Sequence, residues 1–304
     1  MARFKQERDG SLSVIAPAKV NLFLHVTGQR VNGFHELESL FAFTCSGDVL
    51  RISSSDKLYL NVTGPYADEL SSLDDNHDNL VCKAALLLAK RIGIDPNVHI
   101  ELEKNLPVAS GIGGGSADAA AALLGLVEFW NLNITDTELA DIALNLGADV
   151  PACLHTAPLY VRGIGEHILL RRLPKGYGIL LVNPLEPVST PAVFKTFAEQ
   201  GSARFDLARG EDFLWPNENE AFIHFLETKT RNALQEPAES LSTSISDVLS
   251  ALAEQKDSLY SSMSGSGATC FALFDSEAAA DEVGRIIKKK FPNWWVKADS
   301  LISE

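Results

Sequence analysis

Residues 106–126 read "LPVASGIGGGSADAAAALLGL", with four glycines and two serines between Ser110 and Ser116 and an alanine-rich apolar run directly after them. Glycine at that density costs conformational entropy, and the alanines read as a buried helix. A flexible loop feeding a helix start presents unsatisfied N–H groups and about half a positive charge, which together make an anion site. Spacing excludes the familiar phosphate loops. A Walker loop ends in Gly-Lys-Ser/Thr, and the sequence holds no Gly-Lys pair. G-x-G-x-x-G fails because Ser116 or Asp118 occupies the third glycine position. The protein-kinase glycine loop fails by the same count. A turn that merely lets a helix pack closely is the competing reading. Ser110 and Ser116 add hydroxyl donors, and the run is longer than a turn needs, which favours phosphate. Asp118 suits the helix dipole yet lies close to where an anion would dock, and the sequence does not decide its role.

Outward from this loop, "NVHIELEK" alternates as a strand leading into it. Upstream, Asp78 is expected to cap a helix from Asn79 to about Ile92, stopped by Gly93. Downstream, "TDTE" at 135–138 forms a capping box opening a helix that ends at Gly147. "ADVPACL" is then expected to turn, since Val150 precedes Pro151. Near the start, "SLSVIAPAKVNLFLHV" reads as two short strands around Pro17. Alternation places Lys19, Asn21, Phe23 and His25 on one face, with Val20, Leu22, Leu24 and Val26 on the core face. Asn32-Gly33 supplies a turn.

The second half begins near Pro174. "YGILLV" is a strand, and "STPAVF" opens a helix with Thr190 as cap and Pro191 at its first position. Gly201 to Asn219 reads as irregular surface. "LYSSMSGSGATCFALF" reads as two strands about a glycine turn. A helix over 277–290 and the strand "WWVKA" follow. Strands and helices mix without strict alternation, so the fold class is α+β rather than a doubly wound sheet.

The chain has 304 residues and a net charge of −14. Length allows two domains, and an apolar fraction of 46% excludes disorder and fibrous classes. The acidity opposes a general phosphate-backbone binder, so no nucleic-acid partner is expected. Four scattered cysteines without C-x-x-C spacing suit a reduced compartment. The polar opening "MARFKQERDG" and the lack of an eighteen-residue apolar run lead to the expectation of no secretory signal, no membrane and a cytoplasmic location.

"PVASGIGGGSADAA" resembles the second motif of the GHMP small-molecule kinases, and "SGSGAT" at 264–269 resembles their third. The opening "APAKVNLFLHVTGQRVNGFHEL" and the segment "LGADVPACL" are similar to the branch that phosphorylates a cytidylyl-linked polyol in non-mevalonate isoprenoid biosynthesis. The resemblance spans residues 16 to 269. It implies ATP-dependent phosphorylation of the polyol's 2-hydroxyl, with ATP and Mg²⁺ bound. It also implies an N-terminal ribosomal-protein-like α/β domain (residues 1–165) and a C-terminal ferredoxin-like domain (166–304), with the active site between them. The small molecules ATP and acceptor are the expected partners, and the chain itself is expected as a monomer or homodimer.

Residue by residue, the resemblance makes Asp149 the general base and Lys19 an active-site lysine that keeps that carboxylate ionised. ATP would contact Pro107, Val108, Ala109, Ser110, Gly111, Ile112, Gly113, Gly114, Gly115, Ser116 and Ala117. Asn21, Phe34, His35, Thr190 and Phe194 would bind the cytidylyl substrate, the rings by stacking. Phe34 stands where the family often has tyrosine, which keeps stacking and loses a phenolic hydrogen bond. Taken singly, Asp149 could be a solvated or capping aspartate, Lys19 an edge-strand lysine, Phe34 a hydrophobic anchor and His35 a surface histidine. "HELES" lacks the second histidine of a zinc motif, and no G-x-S-x-G hydrolase elbow occurs. The alternatives are a GHMP kinase acting on homoserine, mevalonate or a sugar, and a non-catalytic nucleic-acid module, which the negative charge opposes.

Overall fold

The computed structural model describes residues 4–70, 78–200, 205–206 and 215–304. Most of the stretch expected to be irregular, Gly201 to Asn219, lies outside the described residues. The chain divides into two compact units. The first comprises residues 1–18, 46–108 and 113–156, and the second 19–45, 109–112 and 157–304.

The N-terminal part opens with strands β1 (Phe4–Gln6), β2 (Leu12–Gln29), β3 (His35–Ser54) and β4 (Tyr59–Thr63). Helix α1 (Leu80–Ile92), strand β5 (Val98–Glu103) and helices α2 (Gly114–Phe129), α3 (Asp136–Leu146) and α4 (Val150–His155) follow. In the first unit, β1, the start of β2, the end of β3, β5 and β4 neighbour one another in that order. β5 runs antiparallel to β3, with Val49 opposite Glu103, and parallel to β4, with Tyr59 opposite His99. α1, α3 and α4 pack on α2. The apolar face of β5, Val98, Ile100 and Leu102, is buried together with the run Ala119 to Leu123 of α2.

The second unit takes the end of β2, the start of β3, and strands β6 (Leu159–Gly163), β7 (His167–Leu170) and β8 (Gly178–Asn183). Helices α5 (Thr190–Glu199), α6 (Asn219–Lys229), α7 (Gln235–Leu241) and α8 (Thr243–Ala253) come next. Strands β9 (Tyr260–Met263) and β10 (Cys270–Phe274), helix α9 (Glu277–Lys290) and strand β11 (Trp295–Ser300) complete it. β11, β8, β10 and β9 form an antiparallel sheet in that order, with Val182 at the centre opposite both Cys270 and Val296. α8 and α9 pack on it around Leu180, Val182, Ile245, Val248, Cys270 and Ile287. The architecture is α+β, as expected.

Several boundaries differ from the sequence reading, each for a local reason. Pro17 does not split β2. Gly47 of β3 comes so close to Ala16 and Pro17 that the strand passes its proline against a neighbour with no side chain. Asn79, not Asp78, caps α1 by accepting the Val81 N–H at 2.9 Å, while Asp78 pairs with Lys83. Gly93 ends that helix at φ 75°. α2 begins at Gly114, within the glycine run itself. Val150 is helical despite preceding Pro151, because proline is accommodated in a first turn that needs no N–H from it. Ser189 holds the N-cap position of α5, leaving the Thr190 hydroxyl for another partner. The Thr135–Glu138 capping box forms as read, and so do the Asn32-Gly33 turn, the strand pair about the 264–269 glycines and α9. Strands β6 and β7 and helices α6 to α8 had no clear signature.

A methyl group at Gly47 would stand 1.9 Å from the Ala16 carbonyl oxygen. Gly47→Ala is therefore expected to destabilise the protein by about 3 kcal/mol, the upper end of the overpacking range. Urea denaturation measures it, and a loss below about 0.5 kcal/mol would show that β2 and β3 do not approach this closely.

Candidate active site

In the first unit, Gly113 sits at the N-cap of α2 with φ 63°, and no side chain caps the helix. By helix geometry the N–H groups of Gly114, Gly115 and Ser116 have no acceptor within the helix. Beneath this turn lies a buried ionic cluster. The Lys104 ammonium donates to Asp118 at 2.7 Å and to Asp48. Asp48 also accepts the N–H groups of Asn105 and Leu106 at 2.6 and 2.8 Å. Burial opposes the charge on Lys104, but Asp118 and Asp48 outweigh it and raise its pKa. Burial also pushes the Asp118 carboxyl up to about 8, with Asp48 adding to the rise and Lys104 opposing it. Asp118 is thus a buried member of this cluster. A Cβ on Gly114 would lie 3.2 Å from the Lys104 ammonium, so glycine there makes room for that cation.

In the second unit, the segment Ala109 to Ile112 lies against the turn Ser264 to Gly267. The Ser264 hydroxyl donates to the Gly111 carbonyl at 3.0 Å, and Thr269 N–H donates to the Ser110 carbonyl at 3.1 Å. Lys19 N–H donates to the Ile112 carbonyl at 2.9 Å. A Cβ at Gly111 would meet the Ser264 and Gly267 carbonyl oxygens at 2.6 Å, and its φ is 79°. The two glycine motifs are thus pressed backbone to backbone.

The face of β2 opposite the apolar stripe is buried too. Lys19 is only 4% exposed; its ammonium donates to the Asn21 side-chain oxygen at 2.9 Å and lies 4.4 Å from the centre of the Phe41 ring. Asn21 donates in turn to the Ser39 hydroxyl at 2.9 Å, and its backbone N–H donates to Ser264 at 3.1 Å. Lys19 and Asn21 are therefore brought together with the 264–267 turn. His35 and Phe194 are also brought together, their rings stacked at 5.1 Å, with Phe197 edge-on to His35. Burial lowers the His35 pKa, so its imidazole is neutral at pH 7, and its buried Nε2 has no hydrogen-bond partner among the described residues. Thr190 shares a 2.7 Å hydrogen bond with Ser266. Phe34 stands apart at the hairpin tip, 60% exposed, stacked on no described aromatic ring. Asp149 is half-buried at the N-cap position of α4, and its side chain makes no capping bond.

Sequence reasoning passed over Lys104 and Asp48, and it placed Ser264 and Ser266 in the third motif without giving either a role. Lys104 carried a readable signal: it continues the buried face of "VHIELEK" after Val98, Ile100 and Leu102, and a lysine on a core face demands a buried counter-charge. Asp48 gave none, since only tertiary contact defines it.

The description "GHMP kinases N terminal domain" matches residues 79–157 and "GHMP kinases C terminal" matches residues 207–293. A solved homoserine kinase from Cytophaga hutchinsonii shares the fold with a TM-score of 0.72 at 20% identity, over 98% of this chain and 96% of that one. The class is thus that of the GHMP kinases. A crystal structure of 4-(cytidine 5'-diphospho)-2C-methyl-D-erythritol kinase matches at TM-score 0.76 and 30% identity, over 96% of this chain and all of that one (100%). The 4-diphosphocytidyl-2-C-methyl-D-erythritol kinase of Agrobacterium fabrum is 44% identical over 94% of this chain and 95% of that protein. Within the GHMP kinases, the chain belongs to the 4-diphosphocytidyl-2-C-methyl-D-erythritol kinase family.

The raised Asp118 pKa carries a signed consequence. The folded state holds this proton from the ordinary carboxylate value of 3.8 up to about 8, whereas the unfolded chain does not. Its contribution to stability is present at low pH and is lost as pH rises through that window. Asp118→Asn should therefore gain stability relative to wild type as pH rises from about 4 to 8, with no further change above. Urea denaturation of both proteins across pH checks it; a pH-independent difference would show that Asp118 is ionised throughout.

Proposed function

We propose that the chain transfers the terminal phosphoryl group of ATP to the 2-hydroxyl of 4-diphosphocytidyl-2-C-methyl-D-erythritol, giving the 2-phosphate and ADP in the non-mevalonate route to isoprenoid precursors. Membership of the family carries the reading. The observation in the fold that supports it most is His35, a neutral ring stacked on Phe194 with a buried ring nitrogen left for a partner that a cytosine edge can supply.

In this reading residues 107–117 receive ATP, with the N–H groups at the start of α2 holding phosphate oxygens. The bare first turn and the absence of a side chain at Gly114 and Gly115 suit a phosphate chain lying close to the backbone. Mg²⁺ bound with the nucleotide would neutralise part of the phosphate charge. Asp149 takes the proton from the acceptor hydroxyl as its oxygen bonds to the γ-phosphorus and the bridge to ADP breaks. Lys19, held by Asn21, supplies a fixed cation for the acceptor side, and Asn21 and Thr190 add hydrogen bonds. Phe34, His35 and Phe194 hold the cytosine. The division into domains of residues 1–165 and 166–304 and a cytoplasmic location belong to the same reading. No helix among the described residues is long and apolar enough to cross a membrane.

Asp149→Asn is expected to lower kcat by about two to four orders of magnitude while leaving ATP binding intact, the range for a general base. Steady-state kinetics with calorimetric ATP titration measures it, and near-normal turnover would remove Asp149 from the chemistry. Phe34 is exposed, so Phe34→Ala should leave folding unaffected. It should raise KM for the cytidylyl substrate roughly 5- to 150-fold, the equivalent of 1–3 kcal/mol of base stacking, with KM for ATP unchanged. Equal losses for both substrates would misplace the cytosine site.

A further inference from the structure

Gly114 and Asp118 stand one helical turn apart on the same face of α2. The Lys104 ammonium serves both: it lies 2.7 Å from Asp118 Oδ2 and 3.2 Å from the point where a Gly114 Cβ would be. The cluster holds one cation and two carboxylates, all buried. Asp48 is satisfied by Lys104 and two backbone N–H groups. Asp118 has Lys104 at one oxygen, and its other oxygen, Oδ1, is buried without a hydrogen-bond partner among the described residues. Asp118 is therefore the surplus acid of the cluster. α1, α3 and α4 also pack on α2, but the groups that act most strongly on Asp118 are Lys104 and Asp48.

We propose that this triad is a proton-linked positioning device for the nucleotide: Lys104 anchors the first turn of α2 at Gly114, and Asp118 takes up a proton when phosphates dock on the N–H groups of that turn. The inference rests on the reading that residues 113–116 receive the nucleotide's phosphates. An anion docked there brings negative charge to within about one helical turn of Asp118. Like charge disfavours the second carboxylate's ionisation. The proton comes from solvent and binds Asp118, leaving Lys104 and Asp48 as a neutral pair beneath the turn. Burial already holds the free carboxyl near the top of this range, so the exchange falls just above neutral pH. Lys104 and Asp118 are positioning residues here, since neither needs to touch the nucleotide.

Calorimetric titration of the whole protein with Mg²⁺–ADP, in buffers of different ionisation enthalpy, reads the proton directly. For a rise of about one unit in the Asp118 pKa on docking, wild type should take up roughly half a proton at pH 8.5, and its affinity should fall about fivefold from pH 7 to pH 9. Asp118→Asn should bind Mg²⁺–ADP with no proton uptake and a flat pH profile. No uptake by wild type, or equal uptake by Asp118→Asn, overturns the proposal. If Asp118→Asn fails to fold, the wild-type profile decides, and a flat affinity between pH 7 and 9 is the contrary result. Gly115→Val separates this proposal from the docking reading. Gly115 is exposed, and a Cβ there meets only Leu80 at an ordinary 3.7 Å, so the fold accepts the change. Affinity that drops in Gly115→Val while wild type takes up no proton would refute the triad's role and keep the docking site. Unchanged affinity in Gly115→Val would refute docking at this turn and the proposal with it.

Discussion

The Lys104 ammonium, clamped between Asp48 and Asp118 under the first turn of α2, is the contact on which the candidate site depends. A buried cation without its carboxylates would be expelled or discharged, and breaking such a cluster at one member costs about 3–5 kcal/mol. It links the end of β5 to Asp48 of β3 and to α2, so the helix start cannot drift relative to the sheet. It also dictates local sequence. Asp48 must meet the backbone N–H groups of Asn105 and Leu106, and position 114 must leave room for the ammonium. A helix N-terminus held this way needs no capping side chain, which leaves its N–H groups for an anion.

A second constraint acts within the other unit, where the segment 109–112 and the turn 264–267 meet through their backbones. Gly111 and Gly265 both have positive φ, and a Cβ on either would strike carbonyl groups of the other segment. Ser264 ties the contact to Asn21, and Asn21 holds Lys19. Asn232 reinforces the turn by donating to the carbonyls of Met263 and Gly265. Lys19 and Asn21 thus owe their geometry to a loop more than two hundred residues away in the chain. That is why a lysine on a strand face, unremarkable by itself, becomes a fixed charge.

Local signals made the elements around the loop legible: the Thr135–Glu138 box, the Gly93 stop, the alternation of β5 and the glycine-to-alanine switch that opens α2. Where neighbours decide, the sequence misled. Pro17 broke a strand on paper, but Gly47 lets β2 continue. The alternation after Lys19 separated a core face from a second face bearing Lys19 and Asn21, and both are buried, because Lys19, Asn21 and Ser39 satisfy one another. Asp118 had no readable role, since its partners Lys104 and Asp48 lie 14 and 70 positions away and only the folded sheet brings all three together. Resemblance, not spacing, assigned His35 and Phe194 to one substrate, but neither gave their mutual stacking or the exposed position of Phe34.

The homoserine and mevalonate kinases share this class of fold, so fold alone does not select the acceptor. The most direct test supplies ATP and Mg²⁺ to the purified protein with 4-diphosphocytidyl-2-C-methyl-D-erythritol, homoserine, mevalonate or a sugar in turn, and follows ³¹P resonances. The account predicts a new phosphate monoester at the 2-hydroxyl, with matching ADP, for the cytidylyl substrate alone. Phosphorylation of homoserine, mevalonate or the sugar in preference to it, or of none of the four, would contradict the account.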